Sequence, residues 1–263
     1  MAPLLRRSLY LVGGALLLTA LAVGSSFLSA STGSFGGRGG SLGAEIPASQ
    51  PTQSIEGCDR DRTLIATVLD RAVRARVRPS TKGKVVASFG RINRQGARQV
   101  FDVLETVPGG DGQAWFRVLL PMRPNGTVGF VPARTLRLGE TPYRIVVDRD
   151  RLTLTLWEDC RPVHRYPIGL GTDSTPTPSG RYYITSLLRP PTPNTAYGTY
   201  AYGLSAYSDV LVNWEQGGII GLHGTNDPAS VGRRVSHGCI RMLNRNIEAL
   251  VKILPLGTPV EIT

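Results

Sequence analysis

The chain has 263 residues, enough for one or two ordinary domains, and its 41% hydrophobic content supports a real core. Its 31 glycines and 19 prolines, with few aromatics, favour a turn-rich, mainly β protein over a helical one. The net charge is +11, but the arginines are dispersed and no helix-turn-helix, RRM or zinc-finger signature accompanies them. That excludes the familiar nucleic-acid modules and fits an anionic surface or polymer outside the cell.

Arg6-Arg7 precede an uncharged run from Ser8 to Thr32 whose centre, Leu9 to Ala22, is rich in Leu, Ala and Val. Basic residues, an apolar segment and then a polar segment are the order of an export signal. The run is also long enough to span a bilayer, with the positive flank inside and the C-terminal bulk outside. Residues 1–30 are therefore read as a signal anchor or a cleaved signal peptide. The segment 31–57 is Gly, Ser, Pro and Gln with little apolar content, the composition of a flexible tether. Export permits disulfides. If Cys239 serves as a free nucleophile, Cys58 and Cys160 are left as a candidate pair or as two unpaired thiols.

Residues 58–138 read as short strands separated by Gly/Pro/Asn turns, among them Leu64–Val68, Ala72–Arg78, Val85–Phe89, Gln99–Leu104, Ala114–Leu120 and Thr127–Val131. A second segment, 142–263, opens with the alternating runs Tyr143–Asp148 and Arg151–Trp157 and a further strand in Arg161–Gly169. A Pro/Thr loop lies around 171–180, followed by the strand Tyr182–Thr185. Pro190 to Tyr207 is expected to be a long loop, of the kind that is functional or disordered. Ile219–Leu222 reads as a buried strand, Asn244–Ile253 as the one amphipathic helix, and Val260–Ile262 as a closing strand.

The chemistry concentrates near the end. His223-Gly224-Thr225 is followed by Ser236-His237-Gly238-Cys239-Ile240-Arg241. A thiol attacks carbonyls as thiolate, and a nearby imidazole is the usual group that takes its proton. His223 at a strand end is a rigid mount for a general base. Gly238 leaves room for a substrate carbonyl to approach backbone N–H groups, the requirement of an oxyanion hole. Arg241 is placed to hold a substrate carboxylate. Two other readings remain open: a metal site using His223, His237 and Cys239, and a non-catalytic wall-binding protein.

The window Ile-Gly-Leu-His-Gly-Thr with Ser-His-Gly-Cys-Ile-Arg-Met resembles the signature of the YkuD-type L,D-transpeptidases, and the resemblance covers Pro142 to Thr263. The Trp115-x-Arg117-Val118, Pro-Asn-Gly and Gly-Phe-Val-Pro order of the first segment resembles bacterial SH3-like domains. The Tyr-rich stretch Pro193–Gly203, with Tyr202 as a substrate contact, resembles actinobacterial members. The resemblance implies a small SH3-like barrel followed by a β-rich catalytic domain with few helices and no cofactor or metal. It implies 3→3 crosslinking of peptidoglycan stem peptides through a Cys239 thioester, with release of D-alanine. In that scheme His223 moves the proton, the Gly224 carbonyl orients it, and amides of His237, Gly238 and Cys239 hold the oxyanion. Ser236 and His237 shape the turn, and Ser236 and Arg241 bind substrate, Arg241 through the donor's carboxylate. It further implies an extracytoplasmic, envelope location, membrane-anchored or secreted, and acylation by carbapenems.

Overall fold

The structure is a computed structural model that describes residues 44–45, 62–110, 112–213 and 215–263. The expected signal segment 1–30, the linker 31–57 apart from 44–45, and Cys58 lie outside the described residues.

The chain order begins with the two-residue strand β1 (Ala44–Glu45), then β2 (Thr63–Val68), β3 (Ala72–Arg76), β4 (Val85–Gly90), β5 (Val100–Pro108), β6 (Ala114–Leu119), β7 (Val128–Pro132) and β8 (Leu136–Thr141). It continues with β9 (Tyr143–Asp148), β10 (Thr153–Glu158), β11 (Arg161–Pro167), β12 (Leu170–Gly171), β13 (Gly180–Leu188), β14 (Ala201–Tyr207) and β15 (Ile219–His223). The last elements are β16 (Arg234–Ser236), β17 (Ile240–Arg241), α1 (Asn244–Val251) and β18 (Pro259–Ile262). The fold is mainly β with few helices, as composition implied, and among the described residues no helix is long and apolar enough to cross a membrane.

Strands β2 to β8 form one sheet in the order β4-β3-β7-β6-β5-β2-β8. Alternation drives it: Val73 and Ala75 of β3 point inward while Ala72 and Arg74 face water. The inward side chains, with Phe101, Phe116, Val118 and Val131, make its core. This sheet runs to Thr141 rather than stopping at Leu138, because Leu136–Thr141 pairs along the whole of β2. Gly139 and Glu140 hide that strand from a pattern search.

The second sheet has the order β1-β11-β10-β9-β18-β13-β14-β15-β17. Its core joins Ile145, Leu154, Leu156, Tyr182, Ile220, Leu222 and Ile240 with Ile247 and Leu250 of α1. The expected loop Pro190–Tyr207 is corrected here: its last seven residues are β14, between β13 and β15. Gly203, Ser205 and Ala206 carry no β-branched signal, yet β13 and β15 pair with the strand on both sides, at Gly203 through Ser186 and Gly221. Ala44–Glu45, in the expected tether, pairs with Arg165 and His164.

The two sheets meet through Ile65, Val100, Leu119 and Tyr183, with Leu256 packed alongside. Beside this contact Arg181 holds the fully buried Asp102 in a two-point ion pair at 2.8 and 3.1 Å.

Candidate active site

The site is assembled by one parallel strand pair. Leu222 pairs with Ile240 and His223 with Arg241, and buried Ile220, Leu222, Ile240 and Met242 anchor both strands in the core. The residue before β17, Cys239, therefore comes beside Gly221, whose backbone N–H donates to Sγ at 3.3 Å. A Cβ at 221 would stand 3.3 Å from His223 Cδ2 and 3.7 Å from Cys239 Sγ. The missing side chain leaves the space that the ring and the thiol share.

The Nδ1–H of His223 donates to the Gly224 carbonyl at 2.5 Å. In the neutral ring that bond leaves Nε2 without a proton, available as a base. His223 is only 3% exposed. Burial lowers its pKa to about 4, helped by the nearby Arg241 cation and opposed by the Gly224 carbonyl. Burial also pushes the Cys239 thiol up, against the opposing pull of the Gly221 N–H and Arg241. The resting pair is accordingly a neutral thiol beside a neutral imidazole.

The turn that presents Cys239 is tied down from behind. Gly238 has φ +109°, a backbone conformation that favours glycine. Ser236 Oγ accepts the Gly238 N–H at 3.1 Å and donates to the Cys239 carbonyl at 2.6 Å. Thr177 Oγ1 donates to the Gly238 carbonyl at 2.9 Å and accepts the Gly171 N–H at 3.0 Å. Thr175 Oγ1 reaches the Ser236 carbonyl at 3.1 Å. The thiol opens on a cavity of about 450 Å³, bordered by the 189–197 segment on one side and by Ser208, Leu211 and Gly218 on another. The ring of Tyr197 packs edge-on over His223, centroids 5.0 Å apart. His237 is exposed and Arg241 lines the same cavity, its Nε buried without an acceptor.

Comparison with known proteins accounts for this arrangement. Residues 142–262 match the YkuD family, described as the L,D-transpeptidase catalytic domain. YqjB of Bacillus subtilis, whose name places it among the L,D-transpeptidases, is 31% identical over 140 residues, which is 48% of this chain and 76% of that protein. This chain belongs to the L,D-transpeptidase family. YkuD of Bacillus licheniformis, similarly named, is 43% identical over 122 residues, 46% of this chain and 66% of that protein. The chain thus spans just under two thirds of that relative's length. An L,D-transpeptidase structure from Mycobacterium tuberculosis H37Rv aligns at TM-score 0.40 and 16% identity, covering 64% of this chain and 91% of that chain.

Within the L,D-transpeptidase domain, the structure brings His223, Gly224, His237, Cys239 and Arg241 together and gives three expected residues other duties. Tyr202 is 1% exposed, and its hydroxyl donates to the carbonyls of Leu250 and Leu254 inside the core. Its ring packs in the core while the residue borders the cavity. Ser236 is buried and both of its hydrogen bonds stay inside the turn, so its hydroxyl braces the nucleophile. The Gly238 N–H is already engaged by that hydroxyl and is not an open oxyanion donor.

Sequence reasoning missed Tyr197, Thr177 and Asn244. Asn244 Oδ1 accepts the N–H groups of Thr225 and Thr199 at 3.0 and 3.3 Å, tying the segment after His223 to the end of the 189–200 loop. Its position at the start of α1 is the only sequence signal. Cys160 is disulfide-bonded and Cys239 is a free thiol. As for a metal, no group of three His, Cys, Asp or Glu side chains converges among the described residues.

Proposed function

We propose that the protein is a peptidoglycan L,D-transpeptidase. The observation that carries this reading is that His223, with its Nδ1–H engaged and Nε2 unprotonated, and the free thiol of Cys239 line one substrate-sized cavity. His223 takes the Sγ proton as Cys239 attacks the carbonyl of residue three of a donor tetrapeptide stem. The C–N bond to D-alanine breaks, the imidazolium returns the proton to the departing amine, and a thioester remains. The side-chain amine of an acceptor stem then attacks the thioester, His223 removes its proton, and the restored thiol leaves a 3→3 crosslink.

With the Gly238 amide occupied, the amides of Cys239 and His237 are the proposed donors to the tetrahedral oxyanion. Arg241, with its Nε lacking an acceptor, is the proposed partner of the donor carboxylate. The reading includes an SH3-like character for residues 58–138, a catalytic domain at 142–263, and actinobacterial-type membership. It also includes envelope localisation through the N-terminal segment and acylation of Cys239 by carbapenems. Incubation of the protein with disaccharide-tetrapeptides, followed by mass spectrometry, tests it. A dimer lacking one D-alanine is the expected product. Tripeptide alone would make the enzyme a hydrolase, and unchanged substrate would refute the reading.

A further inference from the structure

One wall of the cavity is held by the other sheet. The loop between β14 and β15 begins at Tyr207 and closes where the Ser208 N–H donates to the Gly218 carbonyl at 2.8 Å. Ser208, Leu211 and Gly218 of this loop line the cavity that contains Cys239. Ser208 Oγ also accepts the Leu211 N–H at 3.0 Å, so Leu211 moves with Ser208.

The base of the loop is gripped by the turn between β6 and β7. Asn125 acts as a strand neighbour would: its Nδ2 donates to the Tyr207 carbonyl at 2.7 Å and its Oδ1 accepts the Tyr207 N–H at 2.9 Å. Arg123 bridges both ends of the loop, Nη2 to the Ser208 carbonyl at 2.7 Å and Nη1 to the Gly217 carbonyl at 2.8 Å. Its guanidinium lies 4.8 Å from the Tyr207 ring centroid, and the Tyr207 hydroxyl donates back to the Pro121 carbonyl at 2.9 Å. A guanidinium presents its donors in a rigid fork, so one side chain fixes the separation of two carbonyls. Two side chains of the first sheet thereby satisfy four backbone groups at the root of the cavity wall.

We infer that Arg123 and Asn125 are positioning residues for stem-peptide binding, so that the first sheet shapes the substrate cavity of the second and is more than a spacer. This rests on the transpeptidase reading for the identity of the ligand only. The loop can adopt its cavity-lining form only while its base is held at this width. Releasing it lets Leu211 and Ser208 leave the wall without touching Cys239 or His223. The effect falls on substrate binding and spares the reactivity of the thiol.

The test uses the full chain carrying Arg123→Ala, Asn125→Ala or the milder Arg123→Lys. Hydrogen exchange is read by mass spectrometry, together with affinity for a disaccharide-tetrapeptide in the Cys239→Ala background, where no turnover occurs. Alkylation of Cys239 by iodoacetamide is measured in the Cys239-containing forms. Expected results are at least about tenfold faster exchange confined to 208–218, about tenfold weaker stem-peptide affinity, and alkylation within about twofold of the parent. Arg123→Lys, which keeps one of the two bonds, should fall between. Unchanged affinity despite faster exchange would overturn the inference, as would unchanged exchange in 208–218. Faster exchange spread over β15 and β17 together with altered alkylation would also overturn it, since the grip would then be a general stabiliser. Absence of turnover by the parent enzyme would count against the transpeptidase reading alone, because binding and exchange are measured without turnover.

Discussion

The protonation state of the dyad makes a prediction that separates this site from one that stores an ion pair. The Cys239 thiol is raised from the ordinary value of 9.0 by burial, so at pH 7 at most about 1% of it is thiolate. The His223 imidazole, lowered to about 4, is neutral from pH 5 upward. Iodoacetamide offers no oxyanion and no leaving amine, so its rate follows the standing thiolate fraction. That rate should climb about tenfold per pH unit, or about 100-fold between pH 6 and pH 8. Acylation by a carbapenem or a stem peptide, where the proton moves during attack, should instead follow neutral His223. It rises through pH 4 as the imidazolium loses its proton and is level by about pH 6. His223→Gln should leave the alkylation slope intact and cut acylation by about 10²–10⁴-fold. Stopped-flow acylation and mass-spectrometric alkylation across pH 4–9 measure both. Alkylation rates equal within about twofold at pH 6 and 8, with thiolate ultraviolet absorbance at pH 6, would show a resting imidazolium–thiolate pair and refute the argument.

Three further predictions follow from particular contacts. Tyr197→Ala uncovers the His223 ring, so its pKa should rise from about 4 toward 6.5; the acid limb of the acylation profile should move up by about one unit or more, and an unmoved limb would mean the tyrosine contributes nothing to burial. Arg181→Met strands the carboxylate of Asp102, which is 0% exposed, whereas Asp102→Asn leaves a guanidinium already half exposed. The first should cost about 3–5 kcal/mol and the second about 1–2 kcal/mol in denaturant unfolding. The Arg181→Met penalty should shrink as pH falls, because burial favours the protonated carboxyl, and equal penalties would contradict the assigned asymmetry. Thr177→Val deprives the Gly171 N–H and the Gly238 carbonyl of their partner. It should lower stability by about 2–4 kcal/mol and slow acylation while the protein is still fully folded; full-rate acylation would show that the turn holds without it.

What the sequence made legible is what lies contiguous in it. His223 and Cys239 were readable because each sits in a short motif, and the strand that delivers the histidine is an unbroken apolar run. The long-range ties were not. Thr177 is 61 residues from the carbonyl it holds, and Asn244 joins residues 19 and 45 positions away. Such backbone partners leave no mark in local pattern. The different placing of the two tyrosines has a specific physical origin. In a loop Tyr202 and Tyr197 are equal candidates, but Ala201–Tyr207 is a strand, and its two-residue period sends Tyr202 into the core beneath α1. Tyr197 stays in the loop, 47% exposed, with its ring edge on the histidine. Ser236 was legible as a turn residue from its place in the motif, and the turn imposed by the left-handed Gly238 does use its hydroxyl.

The most direct measurement is the intact mass of the protein mixed with a tetrapeptide stem and quenched in acid within the first turnovers. A thiol enzyme should appear as a covalent species heavier by the donor less D-alanine, mapped by proteolysis to Cys239 and missing from Cys239→Ala. A crosslinked product formed with no such species on Cys239, or formed equally by Cys239→Ala, would contradict the account.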